Sequence, residues 1–345
     1  MKLNFRRGGA FASRKAKEYF NDVKPEDIKS VTVIRHAAIG DFVVMRPFLL
    51  ELRKFFPNTK ITLSVLRNSM YGMPEDLVDS IHIMDKMKTD GSGEKTSFLQ
   101  RAKQASILPE QDIIFDLTDS SMTLMLILLA KSKITVGYSY RALKRFFYDV
   151  STVRSDFVLE TQSMLHQLNI LGANTQHYPL EYGLTTETRD KKNPFIIYFG
   201  GASMQNRCWS ETKFVGLIEY MLKKYPQYQH VVLQGIKEDE KFENIYAQFT
   251  DNPKVIHQPA LPIEDIYNYL ATASLVIVGD TGIRNMAIAS NTPTLGIMWV
   301  GHISALRYLP KIREHEVVFN TDFIAPSLDE VKTSVEKLMT YLYEK

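Results

Sequence analysis

Apolar residues along this chain fall into short unbroken runs, with helix-spaced patterns between them. The runs at 31–35, 61–66, 81–84, 113–117 and 134–137 are apolar and largely β-branched, which predicts strands buried on both faces. Phe42, Met45, Leu49, Leu52 and Phe56 recur at helical spacing over 41–56. Pro47 lies inside that helix, where it would kink it or delay its start, and Pro57-Asn58 ends it. The apolar stretch 122–130 predicts a core helix, and 157–171 predicts a helix that closes the first unit. Strand and helix alternate throughout, the signature of a doubly wound α/β domain with a mainly parallel sheet.

The same layout returns after a polar stretch at 174–193, which holds Pro179 and Gly183 and reads as a linker. Strands are predicted at 195–199, 231–234, 275–278 and 294–298. Helices are predicted at 212–225, 239–249, 263–273, 281–290 and 328–343. The expected architecture is therefore two Rossmann-like, doubly wound domains facing each other across a cleft. They would comprise residues 1–180 and 181–345, with the last helix a candidate for packing back on the first domain.

A length of 345 residues agrees with two domains. The net charge of +3 is too small by itself to imply nucleic acid, and the single cysteine, Cys208, excludes an internal disulfide. The longest apolar run, 122–130, falls far short of the ~20 residues that span a bilayer. With no signal-peptide pattern at the N-terminus, a cytoplasmic protein is expected. The N-terminal segment is basic, with Arg6, Arg7, Arg14, Lys15 and Lys17 interleaved with Leu3, Phe5, Phe11, Tyr19 and Phe20. It admits two readings: peripheral contact with an anionic membrane, or a basic extension packing its aromatics on the domain.

Four constellations could carry chemistry. Gly40-Asp41 follows the first strand, where a helix is expected to start. Ligands of open α/β sheets bind at the carboxyl ends of the strands. A carboxylate there, favoured by the helix dipole, can accept a proton from an attacking hydroxyl. Position alone favours a plain helix cap. The single glycine in this turn does not make a Gly-x-Gly-x-x-Gly fingerprint, which argues against a nicotinamide dehydrogenase. Asp280-Thr281-Gly282 opens a later helix, where amides and a hydroxyl suit a diphosphate, or simply cap the helix. Gly200-Gly201-Ala202-Ser203 with Arg207 and Trp209 could clamp phosphate oxygens. Lys86, Lys88, Arg141, Lys144 and Arg145 would suit an anionic acceptor, although solvated surface charge explains any one of them. Asp116 and Asp119 are spaced for a metal but more commonly cap a helix, and the eight histidines show no ligand spacing, so no metal site is expected.

Ile34-Arg-His-Ala-Ala-Ile-Gly-Asp41, followed by Pro47, Leu50, Leu52, Arg53 and Phe56-Pro57, resembles the opening motif of the glycosyltransferase family 9 heptosyltransferases. Val278-Gly-Asp-Thr-Gly-Ile-Arg-Asn-Met-Ala-Ile-Ala-Ser-Asn-Thr-Pro293 is similar to their donor-site motif. The resemblance implies a GT-B fold, with acceptor on the first domain and nucleotide sugar on the second. It implies inverting transfer of a heptose from ADP-heptose to the inner core of lipopolysaccharide, without a cofactor, at the cytoplasmic face of the inner membrane. By the same resemblance Asp41 is the general base, and Asp280, Thr281 and Gly282 hold the donor diphosphate and sugar. Ser203 adds a hydroxyl to the clamp, Asp239 meets the ribose, Leu261 lies near the adenine, and Arg35 joins the acceptor set. Two positions depart from the family: Arg207 stands where lysine is usual, and Asn285 where histidine is common. Asn285 keeps a donor and an acceptor but no charge, so a nucleotide sugar is more firmly implied than a heptose. Transfer of another sugar to a surface glycan, a sugar-nucleotide epimerase and a non-catalytic nucleotide-sugar binder stay open.

Overall fold

The structure is a computed structural model. It describes residues 1, 3, 10–88, 92–139, 144–184, 193–202, 205–299 and 302–343, apart from the side chains of 144, 145, 205, 239 and 302–304. The chain divides into two compact units, Met1–Gly183 and Leu184–Lys345.

The first unit runs β1 (Ala10–Ala12), α1 (Arg14–Asp22), β2 (Ser30–Ile34), α2 (Ile39–Phe55), β3 (Lys60–Leu66), β4 (Ser80–Met84) and α3 (Phe98–Ile107). It continues through β5 (Gln111–Asp116), α4 (Ser121–Leu129), β6 (Ser132–Tyr138), β7 (Val150–Thr152) and α5 (Glu160–Ile170). Its sheet has the order β1-β7-β6-β5-β2-β3-β4. All neighbours are parallel except β1, which lies antiparallel on β7. Val31 pairs with Ile61 on one side and Ile113 on the other, so β2 is central. Its residues Val31, Thr32, Val33 and Ile34 are all buried, which explains the unbroken apolar run.

The second unit holds β8 (Phe195–Phe199), α6 (Glu211–Lys224), β9 (Gln229–Leu233), α7 (Glu243–Ala247), β10 (Val255–Gln258) and α8 (Ile263–Thr272). β11 (Leu275–Val278), α9 (Gly282–Ala289), β12 (Thr294–Met298), α10 (His302–Arg307), β13 (His315–Phe319) and α11 (Leu328–Tyr343) follow. The sheet is parallel throughout, in the order β10-β9-β8-β11-β12-β13. In each unit the first long strand sits mid-sheet and the winding reverses beside it, at β2/β5 and at β8/β11. Ligands of doubly wound sheets bind at that reversal. The architecture is that of the GT-B fold.

Several predicted elements change in the tertiary structure. α2 continues through Pro47 without a break. The helix expected over 239–249 is interrupted: a 3₁₀ turn at Glu238–Glu240 precedes Phe242 in the left-handed region (φ 55°), and α7 starts only after it. α11 packs on α6, β12 and β13 of the second unit. α4, expected in the core, buries Thr123, Leu126 and Ile127 but leaves Leu128 and Leu129 exposed. Among the described residues, no helix is long and apolar enough to cross a membrane.

The described part of the basic N-terminal segment packs on the domain. Ala16 and Phe20 are buried, Tyr19 sits edge-on to Phe20, and Lys15 pairs with Asp149 beyond β6. Phe5, Arg6 and Arg7 lie outside the described residues. At the other end of this unit, buried Arg46 of α2 donates to the carbonyls of Tyr182 and Gly183 and forks onto Asp76. That hydrogen-bonded guanidinium holds the Asp76 carboxyl below its ordinary range, against a partial desolvation that acts the other way.

Candidate active site at the two sheet reversals

In the first unit the backbone leaves β2 at Arg35 and enters α2 after Ala38, its N-cap. The turn expected at Gly40 therefore lies earlier, and Gly40 belongs to the first helical turn. Asp41 is the third residue of α2. Its Oδ2 accepts from the Ala38 amide at 3.4 Å, and its Oδ1 accepts from Arg35 Nη2 at 2.7 Å. It caps the helix and pairs with the Arg35 guanidinium.

Arg35, expected among acceptor-binding residues, is only 2% exposed and serves a different purpose. Its Nη1 donates to the Leu117 carbonyl and lies 3.4 Å from Oε1 of Glu160. Glu160 opens α5 and is fully buried, and Arg154 also donates to both of its oxygens. Asp41, Arg35, Glu160 and Arg154 thus alternate in sign along one chain. Burying these charges is tolerated because each has an opposite partner and hydrogen bonds. Asp41, with a side chain 26% exposed, is the outermost member.

A second buried network flanks the first. His82 Nε2 donates to the Gln104 carbonyl at 2.9 Å, so its Nδ1 accepts from the Ser64 hydroxyl at 3.0 Å. Ser64 in turn accepts from His36 Nε2 at 3.1 Å. That direction leaves His36 Nδ1 as a bare acceptor, buried and without a hydrogen-bond partner among the described residues. Burial, with His82 nearby, pushes the His36 pKa down to about 3. Asp116, at the end of β5, accepts from the Tyr148 hydroxyl at 2.7 Å and from the amides of Thr118 and Asp119. It closes a turn, and Ser120, not Asp116, is the N-cap of α4.

The expected basic set is only partly described. Lys86 is exposed after β4, and Lys88 pairs with Glu94. Arg141 and the side chains of Lys144 and Arg145 lie outside the described residues.

In the second unit the turns after β8 and β11 meet. A Cβ on Gly279 would lie 3.6 Å from the Arg207 carbonyl and 3.9 Å from that of Gly201, so the two turns pack backbone to backbone. Arg207 Nη1 donates to Asp280 Oδ2 at 2.9 Å, pairing two of the expected donor residues with each other. Thr281 is the N-cap of α9 in extended conformation (φ −148°), and its side chain makes no capping bond. Gly282 is the first residue of that helix, and Asn285 is half-buried one turn on. Leu261 is half-buried in the turn after β10. Ser203 and the Asp239 side chain lie outside the described residues. Trp209 does not join the clamp: it is buried against Phe214 and donates to the Pro326 carbonyl.

Two residues here escape sequence reasoning. Arg284 is buried on α9, donating from Nη1 to the Tyr308 carbonyl at 3.1 Å. Its Nε and Nη2 have no hydrogen-bond partner among the described residues. Burial lowers its pKa to about 10, with the Asp280 charge acting the other way. Gly296 makes room for it, since a Cβ there would come within 2.9 Å of Nε. Glu240 is the other. Its side chain lies across Gly235 and Gly201, where added Cβ atoms would overlap it, at the carboxyl end of β9. Glycines at both positions are the only sequence signal for it.

Comparisons with known proteins bear on the family and the fold. The model for glycosyltransferase family 9 (heptosyltransferase) matches residues 101–320. A lipopolysaccharide heptosyltransferase 1 of Campylobacter coli is 20% identical over 289 residues, 77% of this chain and 83% of its own length. The crystal structure of a family 9 glycosyl transferase from Veillonella parvula superposes with a TM-score of 0.67 at 18% identity, over 91% of this chain and 97% of the other. The E. coli heptosyltransferase WaaC with ADP-2-deoxy-2-fluoro heptose gives 0.69 at 14% identity, over 89% and 99%.

Proposed function

This chain belongs to glycosyltransferase family 9 (heptosyltransferase), and from that premise we propose that it moves a heptose from ADP-heptose to the inner core of lipopolysaccharide with inversion. The observation that carries the reading is Asp41, in the first turn of the helix that follows the central strand and held at 2.7 Å by a buried arginine. In the proposed step the acceptor hydroxyl attacks the anomeric carbon from the face opposite the diphosphate. The new carbon–oxygen bond forms as the bond to phosphate breaks, and the hydroxyl proton passes to Asp41. A fixed carboxylate suits this role, because positioning and proton transfer together lower the barrier.

The leaving ADP gathers charge. In this reading the Thr281 hydroxyl, the first amides of α9 and Arg207 stabilise it, with Arg207 sharing its fork between Asp280 and a phosphate oxygen. Glu240, at the end of β9, is a candidate acceptor for ribose hydroxyls alongside Asp239. A clamp of amides, hydroxyl and guanidinium requires no cofactor, so turnover is expected to survive exhaustive chelation; a strict requirement for added divalent metal would contradict it.

The decisive assay is incubation with ADP-heptose and a heptose-deficient core acceptor, read by mass spectrometry. Acceptor mass should rise by one heptose. If ADP-heptose leaves the acceptor unchanged while another nucleotide sugar extends it, the donor assignment is wrong.

A further inference from the structure

The two charges that meet at the donor turn of the second unit cancel. Arg207 and Asp280 pair at 2.9 Å, one guanidinium against one carboxylate. A turn holding only that pair would offer a diphosphate no net positive charge, and its carboxylate would repel the phosphates. Glu240, across Gly201 and Gly235, has Lys237 at 3.6 Å as its own counter-charge and adds no cation to the turn.

A further cation lies inside the unit. Arg284 is the third residue of α9, and a helical side chain leans back over the turn N-terminal to it. Here that direction leads towards Asp280. Its Nε passes over Gly296 of β12, where a Cβ would come within 2.9 Å. Gly296 is the register partner of Val278, two residues before Asp280. The guanidinium is therefore held beside the strand end that leads into Asp280, near enough for the two charges to act on each other.

Packing does not explain a charge at this place. Nη1 donates to the Tyr308 carbonyl at 3.1 Å, but Nε and Nη2 have no hydrogen-bond partner among the described residues. Arg284 is only 1% exposed. A buried donor without a partner costs stability, and a buried cation costs more. A cation kept at that cost beside a ligand turn marks function.

Taking this turn as the diphosphate site, the reading on which this step rests, we propose that Arg284 is a positioning residue for the donor. It counters the Asp280 charge from within the unit, so that Arg207 can turn from Asp280 to a phosphate oxygen when the diphosphate binds. With both guanidiniums the turn carries a net positive charge beside the amides that open α9; with Arg207 alone it carries none. Arg284 acts through Asp280 and does not touch the ligand. Which sugar the diphosphate carries makes no difference to this role.

Titration calorimetry of the full chain with ADP, inorganic pyrophosphate and adenosine tests it. Arg284→Met should weaken ADP and pyrophosphate about tenfold and leave adenosine unchanged. The melting temperature should be equal or higher, which a folding defect would not give. In an Asp280→Asn background the same substitution should cost less than about threefold, because the charge that Arg284 counters is gone. Unchanged ADP affinity in Arg284→Met, an equal weakening of adenosine, or an equal loss in the Asp280→Asn background overturns the proposal. A wild type that binds neither ADP nor pyrophosphate overturns the reading of the turn itself, a result distinct from a wild type that binds both and does not respond to the substitution.

Discussion

At the scale of single residues, the first unit's site is a set of paired charges with one exposed end. Asp41→Ala should leave ADP binding intact while lowering turnover by ~10²–10⁴; near-normal turnover would remove Asp41 from the mechanism. Glu160→Gln should destabilise the fold by about 3–5 kcal/mol in urea unfolding, because it leaves Arg35 and Arg154 buried without their shared counter-charge. Arg284→Met tests the opposite case. Its guanidinium is buried with two nitrogens lacking hydrogen-bond partners among the described residues, so an apolar chain of similar length should be neutral or stabilising, by up to ~4 kcal/mol. The buried histidines set a pH dependence. His36 and His230 have folded-state pKa values of about 3 and about 4, pushed down from 6.5 chiefly by burial. Below 6.5 the unfolded chain binds protons that the folded chain refuses, so stability is full above that pH and falls as pH drops towards those values. Denaturant midpoints measured across that range should slope less in His36→Asn than in the wild type.

At the scale of elements, periodicity located the long strands and helices but not what interrupts or exposes them. The runs forming β2, β5, β8, β11 and β12 were legible because both faces are buried, which leaves no polar position to break the pattern. β7 has only three residues, Val-Ser-Thr, and β13 begins with His315-Glu316, so neither shows an apolar run. Both exist because the sheet supplies a partner edge: β6 for β7 and β12 for β13. α2 shows the converse. Pro47 predicts a disturbance, yet Phe42, Met45, Phe48, Leu49 and Leu52 are buried around it, and that packing carries the helix through. In α4 the apolar pattern was legible, but only the tertiary structure separates its buried face from its exposed one.

At the scale of the whole molecule, two sheets share a six-stranded parallel order, with β1 added to the first, and Arg35–Asp41 and Gly279–Gly282 follow a strand beside each reversal. Each unit has its own buried strands, Val31, Val33 and Ile113 in one and Ile196, Val276 and Ile277 in the other. Calorimetry is therefore expected to resolve two transitions, with ADP raising the second unit's more than the first's. A single transition that ADP moves as a whole would show instead that the units unfold together. UDP and GDP are expected to shift the second unit's transition less than ADP does if the donor is the proposed ADP-sugar.

The sequence by itself determined the class of fold, the two-unit layout and the two acidic turns. Those features rest on local pattern: apolar period, turn residues and motif spacing. It determined Asp41 and Asp280 as candidates, but not what holds them. The partners of Asp41 come from one residue six positions away and, behind it, from Glu160 and Arg154 more than a hundred positions on. Arg207 reaches Asp280 across 73 positions. Arg35 could be read as a surface cation because charge is visible in sequence and burial is not. Only the winding of the sheet, which brings the ends of β2 and β5 and those of β8 and β11 side by side, decided which charges meet.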